Sequence, residues 1–303
     1  MKQSIDIGLR LVKALGQALG IVVLVFFLSR IVPGDTVDML AAQGDLTESQ
    51  QQAMRHSLGL DRSAVQQFVS WAAAAAHGDF GESLRFKRPV ADMLATALPT
   101  TLVFAGLSFL VGVGLAFGLA VGAVMTQSRA ITALVDAVNV WSIALPTFCV
   151  GVVGILVLSV WLGWLPVLGG MLLPVLIIGI DSAGQMVKPL HEELREAATS
   201  AHVRTARAKG VSALRVALVH LLPAALPVAL ALSGLVLAGL VAGTLTMEVL
   251  FGLPGIGSLT LSAIHGRDYP VIQAAIVVIA VALVAINSVI DILHRLIDPR
   301  LAT

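Results

Sequence analysis

Apolar residues in this chain come in long, nearly uninterrupted blocks rather than in amphipathic stripes, and the charged residues are gathered between them. Five blocks carry almost no charge: Ala14 to Val32, Thr101 to Met125, Ala137 to Ile180, Leu221 to Met247 and Val271 to Ile290. A helix rises about 1.5 Å per residue and a bilayer core is about 30 Å thick, so about 20 apolar residues make one crossing. The third block is twice that length and is interrupted by Trp161-Leu-Gly-Trp164-Leu-Pro166 and Gly169-Gly170. Aromatic residues beside Gly and Pro compose an interfacial turn, which divides the block in two. The pattern predicts an all-α polytopic membrane protein with six transmembrane helices. The first block is a retained span, because Arg30-Ile-Val-Pro33 offers no small-residue cleavage site.

The polar segment between the first two blocks carries helix signals of its own. Thr47 followed by Gln50 is a capping-box pattern, and the run Glu48 to Leu58 ends at Gly59, which predicts a short helix. Asp61 is placed to cap a second helix through Trp71 to Ala76, stopping at His77-Gly78. Pro89 is placed to open a third before Pro99-Thr100 starts the next span. The expected division is 1–32 for the N-terminal tail and first span, 33–98 for a small external helical cap, and 99–303 for five further spans with a polar loop over 188–220.

Composition confirms the class: 57% of residues are hydrophobic and 12% charged, where a soluble domain has about 25% charged. The remaining charge is lopsided. Lys2, Arg10, Lys13, Arg129, Lys188, Arg195, Arg204, Arg207, Lys209, Arg215, Arg295 and Arg300, 12 of the 19 basic residues, fall on one side of a six-span chain, and the short loops opposite hold Arg267 alone. Lys and Arg accumulate in cytoplasmic loops, so both termini are expected in the cytoplasm. A net charge of +1 supplies no field for nucleic acid. The lone Cys149 permits no disulfide, and the seven histidines show no pair at metal-ligand spacing. Gly114, Gly118 and Gly122, like Gly239 and Gly243, recur every four residues, which predicts faces where helices approach closely.

The segment 188–220 is the polar loop with most to say. Pro189 suits the first turn of a helix, Glu192, Glu193 and Glu196 follow near its start, and Arg204, Arg207 and Lys209 lie near its end, the order a helix dipole favours. Gly210 stands at the C′ position and Ser212 can cap a second helix. Leu190, Leu194, Ala197, Ala201 and Ala208 fall on one stripe, whose alanines admit either a partner surface or the chain's own spans.

Ala206-Arg-Ala-Lys-Gly210, followed after nine residues by His220-Leu-Leu222-Pro223, resembles the cytoplasmic "EAA" loop of membrane subunits from binding-protein-dependent ABC importers. Arg204 to Gly210 is similar to the peptide/nickel branch of that family. Further similarities cover nearly the whole chain: Pro33-Gly34-Asp35, Gly78-Asp79-Phe80-Gly81-Glu82-Ser83, Pro99-Thr100, Leu145-Pro146, Glu248 to Phe251 with Pro254-Gly-Ile-Gly257, Arg267-Asp268-Tyr-Pro270, Asn287 and Asp298-Pro-Arg300. Two positions depart. Arg204 replaces the glutamate of many importers, as is usual in this branch, and Asp181 to Lys188 lacks the arginines that the branch tends to carry after the fourth span.

The resemblance implies a subunit without chemistry or cofactor of its own. ATP and Mg²⁺ are used by two partner ATPase subunits, a homologous permease completes a heterodimer in the bacterial inner membrane, and an extracytoplasmic solute-binding protein delivers the solute. The absence of any G-x-x-x-x-G-K-[ST] phosphate loop fits that division of labour. On this reading Ala201, Arg204, Thr205, Ala206, Arg207, Ala208, Lys209 and Gly210, with Pro223, form the ATPase-coupling loop. Gln52, Gln67, Gly252, Pro254, Gly255 and Gly257 either form a receptor-docking face or only turn the chain and shield the spans, and Asp181 and Asn287 serve the pathway or the packing. Short peptides are the first expectation for the solute, with nickel or other metal chelates and opines also within the branch. The competing class is an ion-coupled secondary transporter or channel, which needs ionisable residues inside its spans; Asp181 alone qualifies well, and no inverted repeat is evident.

Overall fold

The structure, a computed structural model, describes residues 2–31, 37, 38, 41, 47–57 and 59–297. Pro33-Gly34-Asp35 and Asp298-Pro-Arg300 lie outside the described residues. In chain order the helices are α1 (Lys2–Ile31), α2 (Glu48–Ser57), α3 (Ala64–Ala76), α4 (Val90–Thr126), α5 (Arg129–Ala144), α6 (Thr147–Gly154), α7 (Leu172–Ala198), α8 (Ala201–Ala208), α9 (Ala213–Val216), α10 (Leu222–Leu250), α11 (Ile256–His265) and α12 (Tyr269–Ile297). Wider π-helical turns extend α6 over Ile155–Trp161 and join α9 to α10 over Ala217–Leu221.

Among the described residues, three helices are long and apolar enough to cross a membrane, over Val90–Thr126, Ala213–Val241 and Tyr269–His294. The pair Arg129–Ala144 and Thr147–Trp161, bent by 101°, makes a fourth if taken as one span. Pro146 accounts for the bend. A residue before proline is disfavoured in the helical region, and Leu145 is extended at φ −115°, ψ 118°. α1 holds a shorter apolar stretch, Leu15–Leu28, and α7 is charged from Asp181 onward. The block from Ala137 to Ile180 divides near Trp161 to Pro166, as its composition predicted.

Three local expectations are corrected. No separate helix opens at Pro89: α4 is one helix of 37 residues with Pro99 inside it. An interior proline costs about 3 kcal/mol, but Val90, Met93 and Leu94 in the first turns are buried, and each large apolar side chain contributes about 1.5–3 kcal/mol on burial. Burial outweighs the missing hydrogen bond. Pro189 likewise lies inside α7. Third, the N-cap of α3 is Ser63, whose hydroxyl accepts from Gln66 N at 3.4 Å while Gln66 Oε1 accepts from Ser63 N at 3.3 Å. Asp61 pairs instead with His56 Nδ1 at 2.7 Å, and that hydrogen bond holds its carboxyl below the ordinary value.

The chain forms two compact units, one of residues 1–101 and 254–284, the other of residues 102–253 and 285–303. In the first, Val90, Met93, Leu94 and Ala97 at the start of α4 are buried in one cluster with Ile256 and Ala263 of α11 and Val271, Ala274 and Ala275 of α12. Phe26 of α1 meets Phe68 and Trp71 of α3 at ring-centroid distances of 5.2 and 5.7 Å.

The second unit is organised around α7, which packs against α5, α6 and α10. A Cβ built on Gly184 would lie 2.5 Å from Ser142 Cβ and would press on the Val138 carbonyl, so α5 and α7 meet backbone to backbone there. Asn139 Nδ2 donates to the Gly184 carbonyl at 2.9 Å across the same contact. On the α4 side, a Cβ on Gly179 would reach within 2.5 Å of Val111 Cγ1, and one on Gly112 within 2.7 Å of Ser182 Cβ. The period-four glycines behave otherwise. Gly114, Gly118, Gly239 and Gly243 have nothing within 4 Å of such a Cβ, and Gly122 touches Ile131 at 4.0 Å. A regular spacing describes a smooth face; it does not say that a helix of the same chain covers it.

These contacts make a paired prediction. Gly184→Val should destabilise the second unit by about 1–3 kcal/mol or more through overpacking, whereas Gly118→Ala, in open space, should be neutral or slightly stabilising. Thermal unfolding of both purified variants in detergent checks the contrast; equal midpoints would refute the seam at Gly184.

Candidate functional site

The loop over 188–220 is built differently from its sequence pattern. A single helix was expected from Pro189 to Gly210, but α7 runs on to Ala198 and the chain breaks at Thr199-Ser200. Their hydroxyls supply the cause. Thr199 Oγ1 donates to Glu196 O at 2.8 Å and Ser200 Oγ to Ala197 O at 2.7 Å, so side chains take up carbonyls at the end of α7. Ser200 is extended, at φ −63°, ψ 152°, and precedes α8 in the N-cap position. The Thr-Ser pair was the available signal.

The break divides the expected stripe. Leu190 and Leu194 are fully buried on α7, while α8 buries Val203 and Ala206 and exposes Ala201, Arg204, Thr205, Arg207, Ala208 and Lys209. At about 100° per residue, Ala201 and Ala208 fall at the centre of the face opposite Val203 and Ala206, with Arg204 and Thr205 at its flanks. Ala206, expected among the contacting residues, is turned inward. Gly210 then reverses the chain at φ +74°. Its N–H bonds to Arg207 O at 3.0 Å and that of Val211 to Ala206 O at 3.2 Å, the paired bonds of a glycine C-cap. Pro223, exposed in the first turn of α10, has no N–H to give, and the wider turns over Ala217–Leu221 lead into it. Beside α8, a cleft of about 420 Å³ is lined by Gln127, Thr132, His191, Arg195, Thr199 and Arg207, among others, with no carboxylate.

In the first unit, two motifs 185 residues apart are joined. Ser83 Oγ donates to Asp268 Oδ2 at 2.5 Å. The backbone N–H groups of Leu84 and Arg85 reach the same carboxylate at 3.3 and 3.4 Å. Phe86 N donates to Ser83 Oγ at 2.9 Å, and Arg85 Nη1 to Ser262 O at 3.1 Å. Ser83 and Asp268 are fully buried. A buried carboxylate requires donors of this kind.

The remaining sequence-predicted residues are dispersed. Gln52 and Pro254 are exposed, whereas Gly255 and Gly257 are buried at the start of α11 and present no docking surface. Gly252 belongs to the second unit. Gln67 is half-buried, its amide donating to Leu60 O at 3.3 Å and Arg62 O at 2.9 Å. Asp181 is half-buried and accepts from Gln185 Nε2 at 2.9 Å. Asn287 is exposed on α12. Sequence reasoning missed the Ser83–Asp268 junction, because nothing in either motif names its partner.

Ser83→Ala should therefore cost about 1–3 kcal/mol, the penalty for leaving a buried acceptor short of a donor. Limited proteolysis of residues 78–90 is the direct check: unchanged cleavage would mean that the junction does not hold this segment.

Comparison with known proteins adds an independent line. The family described as binding-protein-dependent transport system inner membrane component matches residues 112–303. The glutathione transport system permease protein GsiC of Escherichia coli is 35% identical over 285 residues, covering 91% of this chain and 92% of that protein. A Brucella abortus protein named as a peptide transport system permease is 30% identical over 304 residues, covering 96% of each. A Brucella suis protein named as a peptide permease is 32% identical over 312 residues, covering 96% of this chain and 97% of that one.

Proposed function

The chain belongs to the family of binding-protein-dependent transport system inner membrane components, and from that premise we propose that it carries short peptides or glutathione-like solutes, using α8 as the element that receives the ATPase stroke. Membership of this family fixes the class: a multi-pass inner-membrane permease subunit of an ABC importer, itself non-catalytic, served by an ATPase and a binding protein. An ion-coupled transporter or channel is thereby set aside. The names of the similar proteins support a peptide-type solute.

The observation that carries the coupling role is the face of α8. Ala201 and Ala208 leave it nearly flat, Arg204 and Thr205 border it, and Val203 and Ala206 anchor its back to the unit's core. A flat face lets a partner surface approach closely, and an anchored back passes force to α7 and α9 rather than dissipating it in a loose loop. In the same reading α1, α4, the bent pair α5 and α6, α7, α10 and α12 are the six spans, both termini are cytoplasmic, the segment 33–98 is external, and a homologous permease completes the pathway. Asp181 and Asn287 are candidates for the lining of that pathway. Gln52 and Pro254 remain candidates for receptor contact.

Gly210→Val forces a β-branched residue into a left-handed conformation, at a cost of about 1–2 kcal/mol. Receptor-stimulated ATP hydrolysis and uptake should fall about tenfold, with insertion into the membrane unchanged. Normal coupling in this variant would remove α8 from the transmission path. Topology is checked separately: a reporter fused after Thr303 should read as cytoplasmic and one after Gln66 as external, and an external C-terminus would break the six-span reading.

A further inference from the structure

The first compact unit contains a cavity of about 480 Å³ lined by parts of α1, α2, α3, the segment 79–87 and the start of α12. That volume is within the roughly 300–1,000 Å³ of small-molecule sites and many times the roughly 30 Å³ of one water. Its walls hold an unusual concentration of unused hydrogen-bonding capacity. Gln67 Oε1, Trp71 Nε1 and Gln273 Nε2 are buried atoms with no hydrogen-bond partner, and all three residues line this one cavity. Gln273 is 5% exposed, and its amide nitrogen is one of these three unpaired atoms. Leaving such groups unpaired costs about 1–3 kcal/mol each, a cost that a polar occupant removes.

We propose that this cavity is a binding site for the solute itself, a short peptide, on the external side of the permease; the proposal rests on the peptide-permease reading above. The three buried atoms are one acceptor and two donors. A peptide group offers one N–H for Gln67 Oε1 and one carbonyl, with two lone pairs, for Trp71 Nε1 and Gln273 Nε2. The lining also carries both signs of charge: Arg62 and Lys87 suit a terminal carboxylate, Asp79 and Glu82 a terminal ammonium. Ser83 lines the same cavity, and its bond to Asp268 fixes the segment that bears Glu82 and Lys87. A site here holds solute before it enters the spans, so that release from the binding protein and entry into the pathway become separate steps.

The test uses the assembled transporter in lipid nanodiscs without the soluble receptor, with radiolabelled tri-alanine in equilibrium dialysis. Saturable binding is expected. Gln273→Leu and Gln67→Leu should each weaken it about tenfold, the loss of one hydrogen bond in a site where its ligand partner stays buried, while Val69→Ala, on the exposed side of α3, should leave it unchanged. Two variants are used so that poor assembly of one does not decide the outcome. Binding as tight in both amide variants as in the unaltered complex, or absent from the unaltered complex because the cavity holds water only, overturns the proposal. Receptor-stimulated ATP hydrolysis with the same peptides, recorded on the same preparation, separates the two levels. Stimulation without cavity binding removes this site and leaves the peptide permease intact; no stimulation by any short peptide removes the peptide reading and this site with it.

Discussion

A backbone N–H or C=O in a hydrocarbon medium has no partner except another part of the chain, and every long element of this protein obeys that constraint by being a helix. The consequence is that interruptions are informative. Where the helices stop, a specific residue removes or replaces a backbone bond: Pro146 between α5 and α6, the Thr199 and Ser200 hydroxyls after α7, Gly210 after α8. Where a proline does not stop a helix, as at Pro99 and Pro189, the flanking side chains are held in a packed core and outweigh the lost bond.

The same medium changes what holds helices together. Lipid is as apolar as leucine, so helix association depends on close fit and on hydrogen bonds between helices. The α5–α7 seam has both: Gly184 admits the α5 backbone, and Asn139 bonds to the carbonyl thus brought near. Lys188 and Asp136 add an exposed ion pair at 3.2 Å, worth little in water. In the proposed coupling role the seam matters because α7 leads directly into Thr199-Ser200 and α8. A displacement of α8, anchored by Val203 and Ala206, has a rigid helix to act on.

The segment over 79–90 follows a different logic. It is tied to the start of α12 by a buried carboxylate as well as by apolar packing. Asp268 gathers Ser83 and the backbone of Leu84 and Arg85, and the segment so fixed borders the cavity whose lining residues carry the unpaired atoms Gln67 Oε1, Gln273 Nε2 and Trp71 Nε1. A rigid frame around unsatisfied polar atoms is the usual physical form of a binding site.

By itself the sequence determined the helical class, the long apolar segments, the turn between Trp161 and Pro166, and the glycine cap at Gly210. Each of these is a local property: a run long enough to cross a bilayer, or a residue whose backbone freedom a turn requires. The tertiary structure decided which glycines are covered, that Pro99 and Pro189 are interior, that Ala206 faces inward while Ala201 and Ala208 face out, and that Ser83 meets Asp268. These depend on partners far away in the chain. An apolar period is the same whether a helix face meets lipid, a neighbouring helix or another subunit, and a carboxylate in a loop has the same letter whether water or a buried serine satisfies it.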